Sequence, residues 1–253
     1  MFSHVTRSVI VLLALLGTTA CGAPDRTLDN VLERGVLRVG MDASYPPFES
    51  VDADGSIVGF DVDLANAIAA RMGVSTEFAN ISYDGLYDSL QIGTVDVLIS
   101  ALVAAPEFYG RAAFSEPYFN IGEHLVVPTG STITTMQHLE GNSVAVEFGS
   151  GGDVEARVWQ RRLAELDIIR VDTPEAAVEA VQSGEADAAL VDGITAHLAA
   201  GEGLQIASAV NEALLAVAVH PESTALLAEI DHALVAIRQD GTLQQIIERW
   251  FNP

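Results

Sequence analysis

Leu86-Tyr87-Asp88-Ser89-Leu90-Gln91-Ile92-Gly93-Thr94-Val95-Asp96-Val97-Leu98-Ile99-Ser100 is the stretch on which the fold turns. Leu86 and Leu90 lie one helical turn apart, Gly93 stops the turn, and Val95 to Ile99 is an apolar strand closed by the hydroxyl of Ser100. The chain repeats this phrase at Gln182-Ser183-Gly184-Glu185-Ala186-Asp187-Ala188-Ala189-Leu190-Val191-Asp192: a helix end, a glycine, an acid at the second strand position and a polar stop. Upstream, each copy carries a strand, a loop, a long helix and another strand. A repeat so widely spaced is too sparse for a solenoid or propeller, and it predicts two similar α/β lobes. Ligands of open α/β sheets sit beyond the carboxyl ends of the strands. Ser100 and Asp192 are therefore candidate site residues, one in each lobe.

The composition bounds the function. The 253 residues carry 35 acids against 12 bases, a formal charge of −23, and every base is an arginine. Such a surface disfavours nucleic acid and anionic membrane as partners, and it equally suits any secreted soluble protein. The length allows one large core or two modest ones. One cysteine excludes an intramolecular disulfide. The six histidines show no ligand-like spacing, so neither a metal site nor a cofactor is expected.

Met1 to Cys21 reads as an export segment outside the fold, with Arg7 in a positive n-region and an apolar run from Val9 to Leu16 that is too short to span a membrane. Thr18-Thr19-Ala20 precede Cys21 and Gly22. This resembles a bacterial lipobox, in which Cys21 would be acylated, although Thr18 departs from the usual leucine and the same residues suit an ordinary signal peptidase. The lone cysteine otherwise lacks a purpose there. The preferred division is a signal peptide over residues 1–20 and a lipid-anchored tether over 21–27. Loss of Arg7, the only charge in the first twenty residues, takes −23 to −24.

Strand Leu37 to Gly40 leads into Asp42-Ala43-Ser44-Tyr45-Pro46-Pro47-Phe48, a loop stiffened by its prolines. Asp52 to Gly55 is a turn signal. Asp61 is placed to cap a helix bearing Leu64, Ile68 and Met72 on one face and ending at Gly73. Further on, strand Ser143 to Glu147 runs into Phe148-Gly149-Ser150-Gly151-Gly152-Asp153. A glycine-rich turn before a helix presents free N–H groups, a natural anion seat. It equally serves as a helix start that needs a flexible backbone.

Five segments in this order carry a resemblance: Leu37 to Gly40, Asp42 to Phe48, Gly59-Phe60-Asp61-Val62-Asp63-Leu64, Tyr83-Asp84-Gly85-Leu86 and Phe114-Ser115-Glu116-Pro117-Tyr118. Together with Asp240-Gly241-Thr242 and Trp250-Phe251 near the end, they resemble extracellular solute-binding proteins of family 3, the amino-acid-type receptors of bacterial ABC importers. The likeness covers residues 28–253. It implies a two-lobed α/β fold, the type II periplasmic-binding-protein fold, in which each lobe is a sheet flanked by helices. Two crossover strands join the lobes, near Asn120-Ile121-Gly122 and Leu214-Leu215, and the molecule closes on its ligand like a hinge. Lobe one would hold residues 28–121 and 214–253, and lobe two residues 122–213. The implied function is non-catalytic binding of an amino acid or related amine, handed to a membrane permease. The implied location is the periplasm or the outer face of the cytoplasmic membrane. The chain would act as a monomer, with Cys21 its only membrane contact.

Mapped residue by residue, the resemblance places Asp42 and Tyr45 in the loop whose ring covers the ligand, and Tyr83 as a second aromatic wall. Ser100, with Ala101 and Leu102 after it, would hold polar groups, and Asp192 would receive the α-ammonium. The departures carry more information. The family's usual Arg after Pro-Glu, which grips the α-carboxylate bidentately, is Phe108 here, and Arg111 is out of register with it. Ser150 survives in the lobe-two loop, but Gly151 follows where a carboxylate-holding Thr or Ser is usual. Glu147 stands at a position often apolar or neutral. A cation held among carboxylates and aromatic rings suits such a cleft. The other reading is an ordinary amino acid whose carboxylate uses Ser150, the Gly149–Gly152 amides and a reoriented Arg111. Two further classes compete: a dehydratase on the same fold, with Glu147 or Glu107 as its acid or base, and a sensor domain, for which no downstream transmembrane or signalling segment is found.

Overall fold

The computed structural model describes residues 25–201 and 203–251. The expected signal peptide and Cys21 lie outside the described residues. Helix α1 (Thr27–Arg34) ends at Gly35, which adopts a φ of 69° and turns the chain into β1 (Val36–Met41). Strands β2 (Ser44–Tyr45), β3 (Glu49–Val51) and β4 (Ile57–Val58) form a small antiparallel sheet. Its second turn is built by Asp52 Oδ1, which accepts from the Asp54 and Ser56 N–H groups at 2.9 and 2.8 Å. Helix α2 (Phe60–Met72) buries Leu64, Ile68 and Met72 as its periodicity predicts, and Gly73 closes it with a φ of 74°. Asp61 does not cap it. Gly59 precedes the first turn, and the Asp61 carboxylate is buried inside the lobe.

The chain continues through β5 (Ser75–Asn80), α3 (Leu86–Gln91), β6 (Val97–Leu98), β7 (Ala113–Phe114) and β8 (Phe119–Asn120). Of the apolar run Val95 to Ile99, only the two residues of β6 pair as strand. There follow β9 (Glu123–Pro128), β10 (Ser143–Glu147), α4 (Gly151–Gln160), β11 (Asp167–Val171) and α5 (Pro174–Gln182). Next come β12 (Ala188–Asp192), α6 (Gly193–Ala199) and β13 (Leu204–Ala209), then the return strands β14 (Leu214–Leu215) and β15 (Ala218–Val219). The chain finishes with α7 (Thr224–Gln239) and α8 (Thr242–Phe251).

Two five-stranded sheets result, ordered β5-β1-β6-β15-β7 and β11-β10-β12-β9-β13. In each, the middle strand has a parallel neighbour on one side, β1 or β10, and an antiparallel one on the other, β15 or β9. The two copies of the repeated phrase therefore occupy the same station, and Gly93 and Gly184 make the same left-handed turn, with φ of 72° and 78°. Apolar side chains fill both faces of both sheets. The largest cluster centres on Phe48, Phe60, Phe119 and Phe251, with ring centroids 4.9–5.9 Å apart. Between the sheets, β8 and β14 pair antiparallel, with Asn120 opposite Leu214. Asn120 Oδ1 accepts the Gly122 and Ala213 N–H groups, both at 2.9 Å, and so clasps the two crossings together.

Phe60→Ala should lower the unfolding free energy by about 3–5 kcal/mol, read as a shift in denaturant midpoint at unchanged slope. A loss under 1 kcal/mol would mean that the aromatic cluster does not bear on stability as its burial implies.

Candidate functional site: the interlobe cleft

On the first sheet, Asp42, Ser44, Tyr45, Glu49, Tyr83, Ser100 and Ala101 line one hollow of about 270 Å³. The loop after β1 is held by the Asp42 carboxylate: Oδ1 accepts the Ser44 hydroxyl at 2.7 Å and Oδ2 the Tyr83 N–H at 2.8 Å. The Asp42 N–H in turn donates to Ser100 Oγ at 2.9 Å. One acid thereby positions both aromatic walls of the hollow. Tyr45 stacks on Phe48 at 5.5 Å yet stays 45% exposed, and Tyr83 is 52% exposed, so both rings present free faces. Burial, then the negative charge of Asp192, push the Tyr45 phenol up, so this ring already feels the opposite lobe.

On the second sheet, Glu123, Glu147, Ser150, Gly151, Pro174, Leu190, Val191 and Asp192 line a hollow of about 160 Å³. Asp192 caps α6: Oδ1 accepts the Ile194 and Thr195 N–H groups at 2.9 and 3.0 Å, and Oδ2 the Thr195 hydroxyl at 2.7 Å. Ser150 caps α4 by accepting the Asp153 N–H at 3.2 Å, and its hydroxyl donates to the Glu147 carbonyl at 2.8 Å. Of the donors that an anion seat in the glycine-rich turn would use, two are already taken. Gly149 N–H donates to Asp153 Oδ2 at 3.1 Å and Ser150 N–H to the Glu147 carbonyl at 3.2 Å, so these donors are satisfied within the turn.

Three further expectations need correction. Leu102 is buried in the core behind the first sheet with Leu86, Tyr87 and Leu90, because the chain turns inward after Ala101. Phe108 packs against that same cluster, its ring stacked on Tyr87 at 4.6 Å and 4° between planes, and it does not line the hollow. Arg111 bonds Asp88 at 2.6 Å and lies 5.1 Å over the Tyr87 ring, so it does not stand in for the missing arginine. Among the described residues, no arginine lines either hollow. No group of His, Cys, Asp and Glu among them is arranged to hold a metal ion.

Sequence reasoning missed two residues, Glu49 and Glu123. Glu49 is almost wholly buried, and its Oε1 accepts the Ser100 hydroxyl at 2.8 Å. Burial first, then the charge of Asp61, raise its carboxyl strongly, so it is neutral and donates its proton to Asp61. Glu49 Oε2 and Asp61 Oδ1 are buried with no donor from any other described residue, which leaves the Glu49 proton to lie between the two carboxyls. Asp61 Oδ2 accepts the Ala101 N–H at 2.6 Å and the Tyr118 hydroxyl at 3.0 Å, and Ala101 is held at a φ of 45°. Glu123 is pushed up to about 7 by burial and by Asp192, Glu155 and Glu147. The signal for it lay in strand register, since Glu123 stands directly opposite Asp192 in the β9–β12 ladder.

Two similar α/β sheets, a paired crossover and facing half-sites define a hinged protein that encloses a small ligand between lobes. The profile of the bacterial extracellular solute-binding proteins, family 3, matches residues 37–253, and the chain belongs to that family. It is 30% identical over 250 residues to ABC transporter arginine-binding protein 1 of Escherichia coli, covering 96% of this chain and 98% of that protein. Among solved structures, an ancestral cationic amino acid solute-binding protein aligns with a TM-score of 0.62 at 32% identity, covering 89% of this chain and 99% of the other. An ancestral cyclohexadienyl dehydratase aligns with a TM-score of 0.76 at 27% identity, covering 91% and 98%.

Because Glu49 holds in the folded state a proton that the unfolded chain releases above its ordinary 4.5, stability should fall as pH rises from there. Glu49→Gln, which keeps a neutral donor toward Asp61, should flatten that fall between about pH 5 and 8, by about 1.4 kcal/mol per pH unit. Melting curves that keep the parental slope would show that Glu49 is ionised in the folded protein.

Proposed function

We propose that this protein captures an amine-bearing, cationic solute in the cleft and presents it to an ABC permease outside the cytoplasm. The observation that carries the reading is the charge of the two hollows. Asp42, Glu123, Glu147 and Asp192 line them beside the neutral Glu49, with Tyr45 and Tyr83 offering ring faces. A cation between such rings and carboxylates gains about 0.5–2 kcal/mol per aromatic contact, while an unpaired anion is repelled. The E. coli relative, named an arginine-binding protein, agrees in ligand charge. Ser100, Ala101, Ser150 and Gly151 would shape the walls. Phe108 and Leu102 would act only from behind the first sheet. An acylated Cys21 would hold the receptor at the membrane face.

The ancestral dehydratase among the structural neighbours favours a second reading, an enzyme on the same scaffold. The dehydratases that the family resemblance implies would act on prephenate-like carboxylates, which an acidic cleft lined by no described arginine opposes. Glu107, one of the two acids available for such chemistry, is exposed on the Pro106–Phe108 turn and lines neither hollow. We therefore read the protein as a binder without catalytic residues.

A thermal-shift panel of amino acids, amines and prephenate tests both readings, since a ligand at 100 times its Kd adds about 2.7 kcal/mol of stability. Shifts with cationic amines or cationic amino acids are expected; prephenate turnover with no such shift would install the enzyme instead. Asp192→Asn keeps an oxygen for the α6 cap but removes the charge. It should weaken cation binding by about 2–5 kcal/mol while moving the melting temperature of the free protein little. Undiminished affinity would remove Asp192 from the ligand contacts.

A further inference from the structure

We propose that Glu123 occupies the place of a ligand carboxylate and makes the cleft selective for carboxylate-free dications, aliphatic chains with a cationic group at each end. The inference rests on the cationic-solute reading above and names its substrate class. Its first support is steric. A Cβ built at Gly151 would lie 2.3 Å from Glu123 Oε1, and one at Gly152 would lie 3.1 Å from Oε2. The Glu123 carboxylate therefore sits against the first turn of α4, where a side chain at 151 would otherwise point. A carboxylate at a helix N-terminus is favourable, and here the protein supplies its own. A ligand carboxylate directed to that turn would meet a negative charge in the volume it needs.

The second support is that three of the other groups able to hold a carboxylate are engaged, which leaves the Gly151 and Gly152 N–H groups beside Glu123 itself. The Ser150 hydroxyl donates to the Glu147 carbonyl, the Gly149 N–H to Asp153, and Arg111 to Asp88. The third is register. Glu123 and Asp192 face each other across an antiparallel pair, and like charges so placed destabilise a sheet. With Glu147 at the end of β10, three acids converge on the smaller hollow. One ammonium group there turns that repulsion into attraction. The second cationic end has its own station on lobe one, against Tyr45, Tyr83 and the acids behind Ser100.

Matched ligand pairs that differ only in the α-carboxylate decide the point: agmatine against L-arginine, and 1,4-diaminobutane against L-ornithine, titrated calorimetrically into the full chain. The amine of each pair is expected to bind at least tenfold more tightly. Tighter binding of the amino acids would overturn the selectivity and leave the cationic-solute reading standing. No binding by any of the four would overturn both. Glu123→Gln, close in shape to the acid, is expected to cut the amine's advantage tenfold or more; an unchanged ratio would overturn the role given to Glu123. Should that variant fail to fold, the parental pairs still decide the class.

Discussion

One buried carboxylate, that of Asp61, sets the first half of the cleft. Left unpaired, such a group would be strongly disfavoured, and three donors reconcile it with burial: the Ala101 N–H, the Tyr118 hydroxyl and the proton of Glu49. Each bond fixes a different element. The first holds Ala101 at a left-handed φ that alanine rarely adopts, and so turns the chain at the end of the central strand. The second ties that corner to Tyr118, just before β8. The third reaches Glu49 in the small sheet, whose other oxygen accepts from Ser100, which accepts from Asp42, which positions Tyr83 and Ser44. The aromatic walls thus stand on a chain of hydrogen bonds that begins inside the lobe.

The scarce arginines sharpen the contrast between structural acids and cleft acids. Asp96, 5% exposed, takes both Arg34 and Arg38, and Asp153, 1% exposed, takes both Arg157 and Arg170. Asp63 pairs with Arg249 and Asp240 with Arg71. With only 12 bases against 35 acids, these placements show which acids the fold neutralises itself. Among the described residues, the acids lining the two hollows receive none. Glu123 and Asp192 even oppose one another across a ladder. The proposed cation would offset the repulsion that this arrangement builds in.

The repeat was legible because sequence records it directly: helix end, glycine and polar strand stop recur with the same backbone requirement at Gly93 and Gly184. That Tyr45, Tyr83 and Ser100 gather at one hollow and Asp192 at the other was legible for a related reason, since loops and strand ends carry their residues in chain order. What failed was direction. Asp61 reads as a cap because capping is local, whereas its real partners lie 40 and 57 residues away. Phe108 reads as a cleft residue from its alignment with a missing arginine, but an aromatic ring gains more by stacking on Tyr87 than by facing water. Glu123 and Glu49 escaped notice because their meaning depends on cross-strand register and on burial, which hydropathy patterning does not encode.

The acidic second half-site also lies beside the hinge itself. The Glu123 N–H donates to Asn211 Oδ1 at 2.8 Å, and Gly122, the residue before it, leaves no room for a side chain: a Cβ there would lie 2.6 Å from the Asn211 carbonyl. Asn120 closes the same clasp from the other strand. The acid that the proposed cation would meet is therefore anchored to the paired strands between the two sheets. Without a cation, closure would bring two acidic hollows together in a medium less polar than water, where their repulsion grows. With a cation at each end of the ligand, the same approach is attractive on both sides. Under the proposed reading, charge would couple occupancy to closure, since such a ligand would interact differently with the open and closed states, as any closure driven by a ligand requires.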